Sequence, residues 1–345
     1  MHAGSSSSLP STTSNNITTT SKAAATSAAA APALPEGRLI QTYAAHGYEV
    51  LSLSISRTNA RFASAGGDRQ VFLWDVSTAQ TIRRLGGSAA GAHTARVNCV
   101  AFAGAGAGGD SAADESLLIS GSLDASVRVW DLRSGGGKPV QVLSEARDSV
   151  TSVCVPGGGA AATIVAGSVD GRVRTYDVRA GRCVTDVVGP AVTSVAATRD
   201  GRAVLVGALD SRLRLLDRDT GALLRAYAHP CFRNDGLRVQ SLLGAGDRYV
   251  VVGDEMTAAA AAAAPPDRPG HGRVWAWDIL SGEVAARLSV PWGPPGHGSK
   301  KVVGRDGKEK ERTNVISCLA WRDGGYGDQF CAGGTSGVVT VFGYR

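Results

Sequence analysis

From residue 50 onward, short apolar runs of about strand length alternate with clusters of Gly, Asp and Ser. Val50 to Ile55 alternates apolar and polar positions as a first strand, and Arg61 to Ser64 forms a second. Gly66-Gly67-Asp68 makes the following turn, Val71 to Trp74 reads as a third strand, and Thr81 to Leu85 as a fourth. The same order returns from His93 through Val97 to Phe102, Leu117 to Ser120, Asp124 and Trp130. It returns again at Val150 to Val155, Thr163 to Ala166, Asp170 and Tyr176, and at Val192 to Ala197, Ala203 to Val206, Asp210 and Leu216. A fifth copy starts near His229 and reaches Trp277-Asp278, and a sixth runs from Val315 to Trp321, Phe330 to Ala332, and Val338 to Phe342.

The register of these copies is set by one residue type. In four of them an aspartate stands six positions before a large residue that is itself followed by aspartate: Asp68 to Trp74, Asp124 to Trp130, Asp170 to Tyr176, Asp210 to Leu216. Four strands in this order are what one propeller blade needs, and a single blade cannot bury both of its faces. The pattern therefore predicts an all-β fold, a β-propeller over 38–345 with six recognisable blades at about 44–85, 91–143, 145–187, 190–226, 229–290 and 313–345. Insertions lengthen it at 104–114, 256–271 and 294–312. In the fifth repeat the insertion displaces the turn aspartate and His271 stands six before Trp277 instead; in the sixth, Ser336 holds the aspartate position. Leu39 to Tyr43 reads as a strand with no repeat before it, expected to complete the last blade and close the ring.

The candidate chemistry lies in the turns. His46, Ser64, Asp68 and Trp74, and again His93, Ser120, Asp124 and Trp130, combine an imidazole, a hydroxyl, a carboxylate and an indole at matching spacing. A hydrolytic Ser-His-Asp reading competes with a structural one, in which the carboxylate gathers hydrogen bonds that tie two loops together. The set occurs once per blade in two blades, as scaffolding would, and Asp170 and Asp210 repeat its acid without the histidine. No G-x-S-x-G, no phosphate loop ending in Gly-Lys-Ser/Thr and no H-E-x-x-H is present. His271 and His297 have no partner at metal-ligand spacing and read as exposed loop histidines. The expectation is no catalytic site, no cofactor and no metal.

Composition adds bounds. With 345 residues, 43% apolar and mean hydropathy −0.02, the chain can hold one large core, and no apolar tract approaches the roughly 20 residues needed to cross a bilayer. Six cysteines, spread without a C-x-x-C pair, read as small core residues. Residues 1–37, rich in Ser, Thr, Ala and Pro, read as a disordered tail. The net charge of +6 is spread along the chain, but the 294–312 insertion concentrates Lys300, Lys301, Arg305, Lys308 and Lys310. That stretch reads as a mobile basic loop, either a tolerated insertion or a contact for an acidic protein or RNA.

The His/Ser/Asp/Trp set matches the hydrogen-bonded network of WD-repeat blades. Local wording goes further: His46-Gly47-Tyr48-Glu49-Val50-Leu51, Ala166-Gly167-Ser168-Val169-Asp170-Gly171-Arg172 and Leu209-Asp210-Ser211-Arg212-Leu213 resemble the mitogen-activated protein kinase organizer family of WD-repeat proteins, over residues 38 to about 228. The resemblance implies a scaffold without catalysis, a monomer within larger complexes in nucleus and cytoplasm, whose partners are spliceosomal or kinase-cascade proteins. It also implies seven blades. With six repeats here and the low-complexity tail where a first blade would stand, the ring either closes with six or keeps a gap, and closure through Leu39 to Tyr43 is the preferred reading. Finally, Trp130-Asp131-Leu132-Arg133 and Tyr176-Asp177-Val178-Arg179 resemble the box through which some WD-repeat proteins dock on a cullin ubiquitin ligase adaptor, making Arg133 and Arg179 candidate docking residues.

Overall fold

The computed structural model describes residues 37–103, 116–157, 163–255, 270–293, 301–303, 309–311, 313–322 and 328–343. Residues 1–36 of the expected tail, all of the 104–114 insertion and most of the other two lie outside the described residues. Blade 1 is built from β1 (Val50–Ile55), β2 (Arg61–Gly66), β3 (Gln70–Asp75) and β4 (Thr81–Gly86). Blade 2 takes β5 (Val97–Phe102), β6 (Leu117–Ser122), β7 (Val127–Asp131) and β8 (Gln141–Leu143); blade 3 takes β9 (Val150–Cys154), β10 (Thr163–Ser168), β11 (Arg172–Asp177) and β12 (Arg182–Val187). Blade 4 is β13 (Val192–Ala197), β14 (Ala203–Ala208), β15 (Arg212–Asp217) and β16 (Leu223–Tyr227); blade 5 is β17 (Ser241–Gly244), β18 (Tyr249–Gly253), β19 (Gly272–Asp278) and β20 (Val284–Val290). After a hairpin of β21 (Lys301–Val303) and β22 (Glu309–Glu311), blade 6 has three strands, β23 (Ile316–Arg322), β24 (Gln329–Gly334) and β25 (Val339–Gly343). Within each sheet the strands are antiparallel and follow chain order. The protein is an all-β, six-bladed propeller.

Burial explains why the strands read as they do. The second and third strands are covered on both faces and are nearly continuous in apolar residues, as in β14, where every residue is buried. The outer strands β12 and β16 face solvent and carry charges among their apolar residues. The core lies between blades rather than within one. Ile119 and Val129 of blade 2 pack with Val150, Val153 and Tyr176 of blade 3, and Leu205 and Tyr227 of blade 4 pack with Val250, Trp275 and Trp277 of blade 5. The small residues closing each second strand make room for this. A Cβ on Gly121 would stand 2.6 Å from the Val150 side chain of the next blade, and one on Gly167 2.6 Å from Val192.

The inner strands pack side by side, β1 on β5, β5 on β9, β9 on β13, β13 on β17 and β17 on β23. Ser52 and Ser54 on β1 accept the amides of Val100 (3.1 Å) and Phe102 (3.2 Å), so the inner seam is stitched by hydrogen bonds as well as apolar contact. No comparable packing joins β23 to β1. Leu53 and Ile55 on β1 are 64% and 59% exposed, and Val339 and Val341 on β25 are 64% and 68% exposed. Closure through Leu39 to Tyr43 is therefore corrected. That segment forms no strand; Tyr43 instead packs edge-on against Phe62 (4.8 Å) and Trp74 (5.7 Å) of blade 1 and donates its hydroxyl to the Val76 carbonyl. The half-buried Tyr43 ring, with two edge-on aromatic contacts, ties this segment to blade 1.

Candidate functional site

Each blade begins with a loop that reaches the turn after its second strand, and in blades 1 and 2 that reach is made by histidine. His46 Nδ1 lies 2.6 Å from Asp68, His46 Nε2 lies 2.6 Å from Ser64 Oγ, and Trp74 Nε1 donates to the same hydroxyl at 2.8 Å. Blade 2 repeats the set with His93 on Asp124 (3.0 Å) and Ser120 (2.8 Å), and Trp130 on Ser120 (2.8 Å). Burial lowers the pKa of His93 against the pull of Asp124, which favours the neutral ring. The indole can only donate, so the Ser120 hydroxyl donates to Nε2 and the imidazole proton sits on Nδ1, facing the carboxylate. Burial alone would raise the Asp124 pKa; hydrogen bonds from His93 and Ser126 outweigh it and hold the group far below the usual carboxylate range.

This is the connectivity of a hydrolytic triad without its accessibility. Ser120 is 0% exposed and Ser64 2% exposed, and an indole N–H occupies each hydroxyl oxygen where a substrate carbon would have to approach. What the arrangement can do is fix the geometry of two loops.

Blades 3 and 4 reach their aspartates from the opposite side, with a residue type the sequence reading passed over. Arg174 donates to Asp170 at 2.6 Å and Arg214 to Asp210 at 2.5 Å, each four residues after its partner on the next strand. Arg174 is buried, and its guanidinium and Ser168 hold Asp170 down to about 2 although burial alone would raise it. The register shows that Phe72, Arg128, Arg174, Arg214 and Trp275 occupy equivalent places, facing Ser64, Ser120, Ala166, Val206 and Val252. The D-x-x-x-R spacing in blades 2 to 4 was the available signal.

In blade 5 the expected stand-in is wrong. His271 is half-buried and bonds Ser289 on β20 at 2.9 Å, and the aspartate role belongs to Asp254, just past β18. Fully buried Asp254 accepts the Trp275 indole at 2.8 Å, with Arg273 at 3.6 Å. Since Val252 stands where blades 1 and 2 have serine, Trp277 Nε1 has no hydrogen-bond partner among the described residues. In blade 6, Ser336 gives its amide to the buried Asn314, which also bonds the Pro291 carbonyl.

The aspartate after each large residue has a separate task. Asp75 accepts the amides of Ser77 and Thr78 (both 2.9 Å), Asp177 those of Arg179 (3.0 Å) and Ala180 (2.9 Å), and Asp131 that of Arg133 (2.7 Å), each closing an Asx turn into the outer strand. The Ser77 hydroxyl and Thr78 amide bring the Asp75 pKa down to about 2. Arg133 and Arg179 are exposed on corresponding turns of adjacent blades, on the side away from the histidine loops. Of the basic insertion, Lys301 and Lys310 lie in the strands β21 and β22, which pair antiparallel with Lys301 opposite Glu311 and Val302 opposite Lys310, where a loop was expected. Lys300, Arg305 and Lys308 lie outside the described residues. Among the described residues no group of His, Cys, Asp and Glu is arranged to hold a metal ion.

The fasteners identify the unit that repeats. Residues 37–75, 89–131 and 137–177 match the WD domain, G-beta repeat family. These segments are WD repeats. The chain is similar to the WD repeat domain-containing protein 83 homolog of Dictyostelium discoideum, 26% identical over 74% of this chain and 76% of that protein. It is 40% identical to the WD repeat domain-containing protein 83 of Rattus norvegicus over 46% of this chain, and it spans 44% of that relative's length. Protein ROOT INITIATION DEFECTIVE 3 of Arabidopsis thaliana is 26% identical over 48% of this chain and 36% of that protein. WD-repeat propellers are interaction frames, which agrees with the use of every recurring carboxylate as structure.

Proposed function

We propose that this chain is a non-enzymatic assembly platform that works within pre-mRNA splicing complexes or as an organizer of a mitogen-activated protein kinase cascade, with splicing ranked first. The observation that carries the reading is the assignment of Asp68, Asp124, Asp170, Asp210 and Asp254 to blade fastening, which leaves loop surfaces rather than a reaction centre. The likeness to proteins carrying the name WD repeat domain-containing protein 83, together with the organizer-family wording of residues 46–51, 166–172 and 209–213, supports the specific setting. On this reading the protein acts as a monomer inside larger complexes, in nucleus and cytoplasm, without cofactor or membrane contact. Affinity purification of the tagged chain followed by mass spectrometry tests it: spliceosomal or kinase-cascade proteins are expected, and recovery of neither group contradicts it. Imaging of the tagged chain should show both compartments; confinement to one refutes the placement.

A second reading has its own observation. The exposure of Arg133 and Arg179 on corresponding turns of neighbouring blades is the arrangement a cullin-adaptor contact would need. Replacing both with alanine should then abolish adaptor recovery while leaving Asp131 and Asp177 to form their turns through backbone amides. Adaptor recovery that is absent from the start, or unchanged in the variant, removes this reading.

A further inference from the structure

The connection from β16 to β17 spans 228–240, against 188–191 between β12 and β13, and lies on the face that carries the fasteners. It is held rigidly. Phe232 is buried against Trp277 (5.5 Å), His229 lies over Trp275 (4.6 Å), and the buried Glu255 carboxylate accepts the amides of Gly236 (2.9 Å) and Leu237. A carboxylate buried against backbone amides rather than a cation is costly to build and fixes the path of the chain around it.

Between this connection and the β14–β15 turn lies an open pocket of about 350 Å³ lined by Asp210, Ser211, Arg212, His229, Pro230 and Arg233, together with Ala228. Its acids are already engaged: Asp210 is gripped by Arg214, and the neighbouring Asp235 accepts the Ser211 hydroxyl. Its bases are not. Among the described residues Arg212 has no ion-pair partner, and the Arg233 guanidinium bonds the Phe232 carbonyl, at 3.3 Å. His229 Nδ1 accepts the Cys231 amide at 3.1 Å, so a neutral ring carries its proton on Nε2. Three donors, two of them guanidiniums without an ion pair among the described residues, thus border a space sized for one side chain.

We propose that this pocket receives an anionic side chain, a phosphoserine or a glutamate, from an extended acidic segment of a protein partner. The proposal rests on the scaffold reading and gives it a partner chemistry and a docking point. Two guanidiniums suit a planar carboxylate or a phosphate through paired N–H donors. Nucleic acid fits less well, because among the described lining residues His229 alone is aromatic, and it already lies against Trp275, leaving no free aromatic platform for successive bases.

Fluorescence anisotropy with the full chain tests this, using one labelled acidic peptide made in three forms, with phosphoserine, glutamate or alanine at its centre. Both anionic forms should bind more tightly than the alanine form, and the stronger of the two names the source of the charge. The double variant R212Q/R233Q should bind about tenfold or more weakly, as expected when two charge-assisted hydrogen bonds are lost, with an unchanged melting temperature. Equal binding of all three peptides, undiminished binding by R212Q/R233Q, or displacement of both anionic peptides by an equimolar oligouridylate overturns the proposal. If the tagged chain still recovers its partners in any of those cases, the pocket assignment falls and the scaffold reading stands; if wild type recovers none, the scaffold reading falls by itself.

Discussion

A histidine, a serine and an aspartate in hydrogen-bonded sequence do not make a catalyst when the hydroxyl is sealed. In blade 2 the indole of Trp130 donates to Ser120, Ser120 to His93 and His93 to Asp124, so each group spends its hydrogen bonds on the next. His93→Ala removes one hydrogen bond each from Ser120 and Asp124 and should cost about 1–3 kcal/mol, read from urea unfolding; a change near zero would show that the network holds nothing. Blade 3 does the same work with a buried ion pair, and breaking one side of such a pair costs more. Asp170→Ala, leaving Arg174 buried and unpaired, should destabilise by about 3–5 kcal/mol. The recurring aspartates were legible from spacing alone. Their partners were legible only where the partner was histidine, because Arg174 and Arg214 sit inside strands whose arginines read as solvent-facing until the register places them beside the turn.

At the scale of elements, the strand pattern carried most of the fold. Runs such as Val150 to Val155 and Ala203 to Val206 came out as strands because they are buried on both faces, and the turn glycines and aspartates bounded them. Two expectations failed where a local pattern was read without its packing. Leu39 to Tyr43 is apolar enough for a strand, but Tyr43 finds Phe62 and Trp74 first. His271 has the spacing of the missing aspartate, yet the role falls to Asp254, which stands two positions after Val252 where Asp68 stands four after its counterpart Ser64, so the spacing of the other blades does not lead to it. The small residues closing each second strand give the element-scale prediction. Gly167→Val places methyls where Val192 already packs and should cost about 1–3 kcal/mol by overpacking, whereas Gly135→Val, with nothing within 4 Å, should be close to neutral in the same thermal scan.

For the whole molecule, pH dependence follows from the buried network. His93 has a folded pKa below its ordinary 6.5, so the unfolded chain takes up a proton that the folded one refuses, and stability declines as pH falls below about 6.5. Asp170 is depressed from 3.8 to about 2, so its contribution is complete above 3.8 and is lost as pH falls through that window. Melting temperature against pH should therefore fall in two stages, with the first absent from His93→Ala. The first and last blades leave apolar positions uncovered, so Val341→Ser should change stability by less than about 0.5 kcal/mol, as at other surface sites; a cost of several times that would mean that the β25 edge is covered. Most directly, the account claims that the serine-histidine-aspartate sets fasten a platform and take no part in what the platform does. Quantitative mass spectrometry of proteins co-purifying with wild type and with Ser120→Ala, both held at a temperature where they are folded, tests that claim. The account predicts the same spliceosomal or kinase-cascade proteins in the same proportions from both; no such proteins from wild type, or their loss from a folded Ser120→Ala, would contradict it.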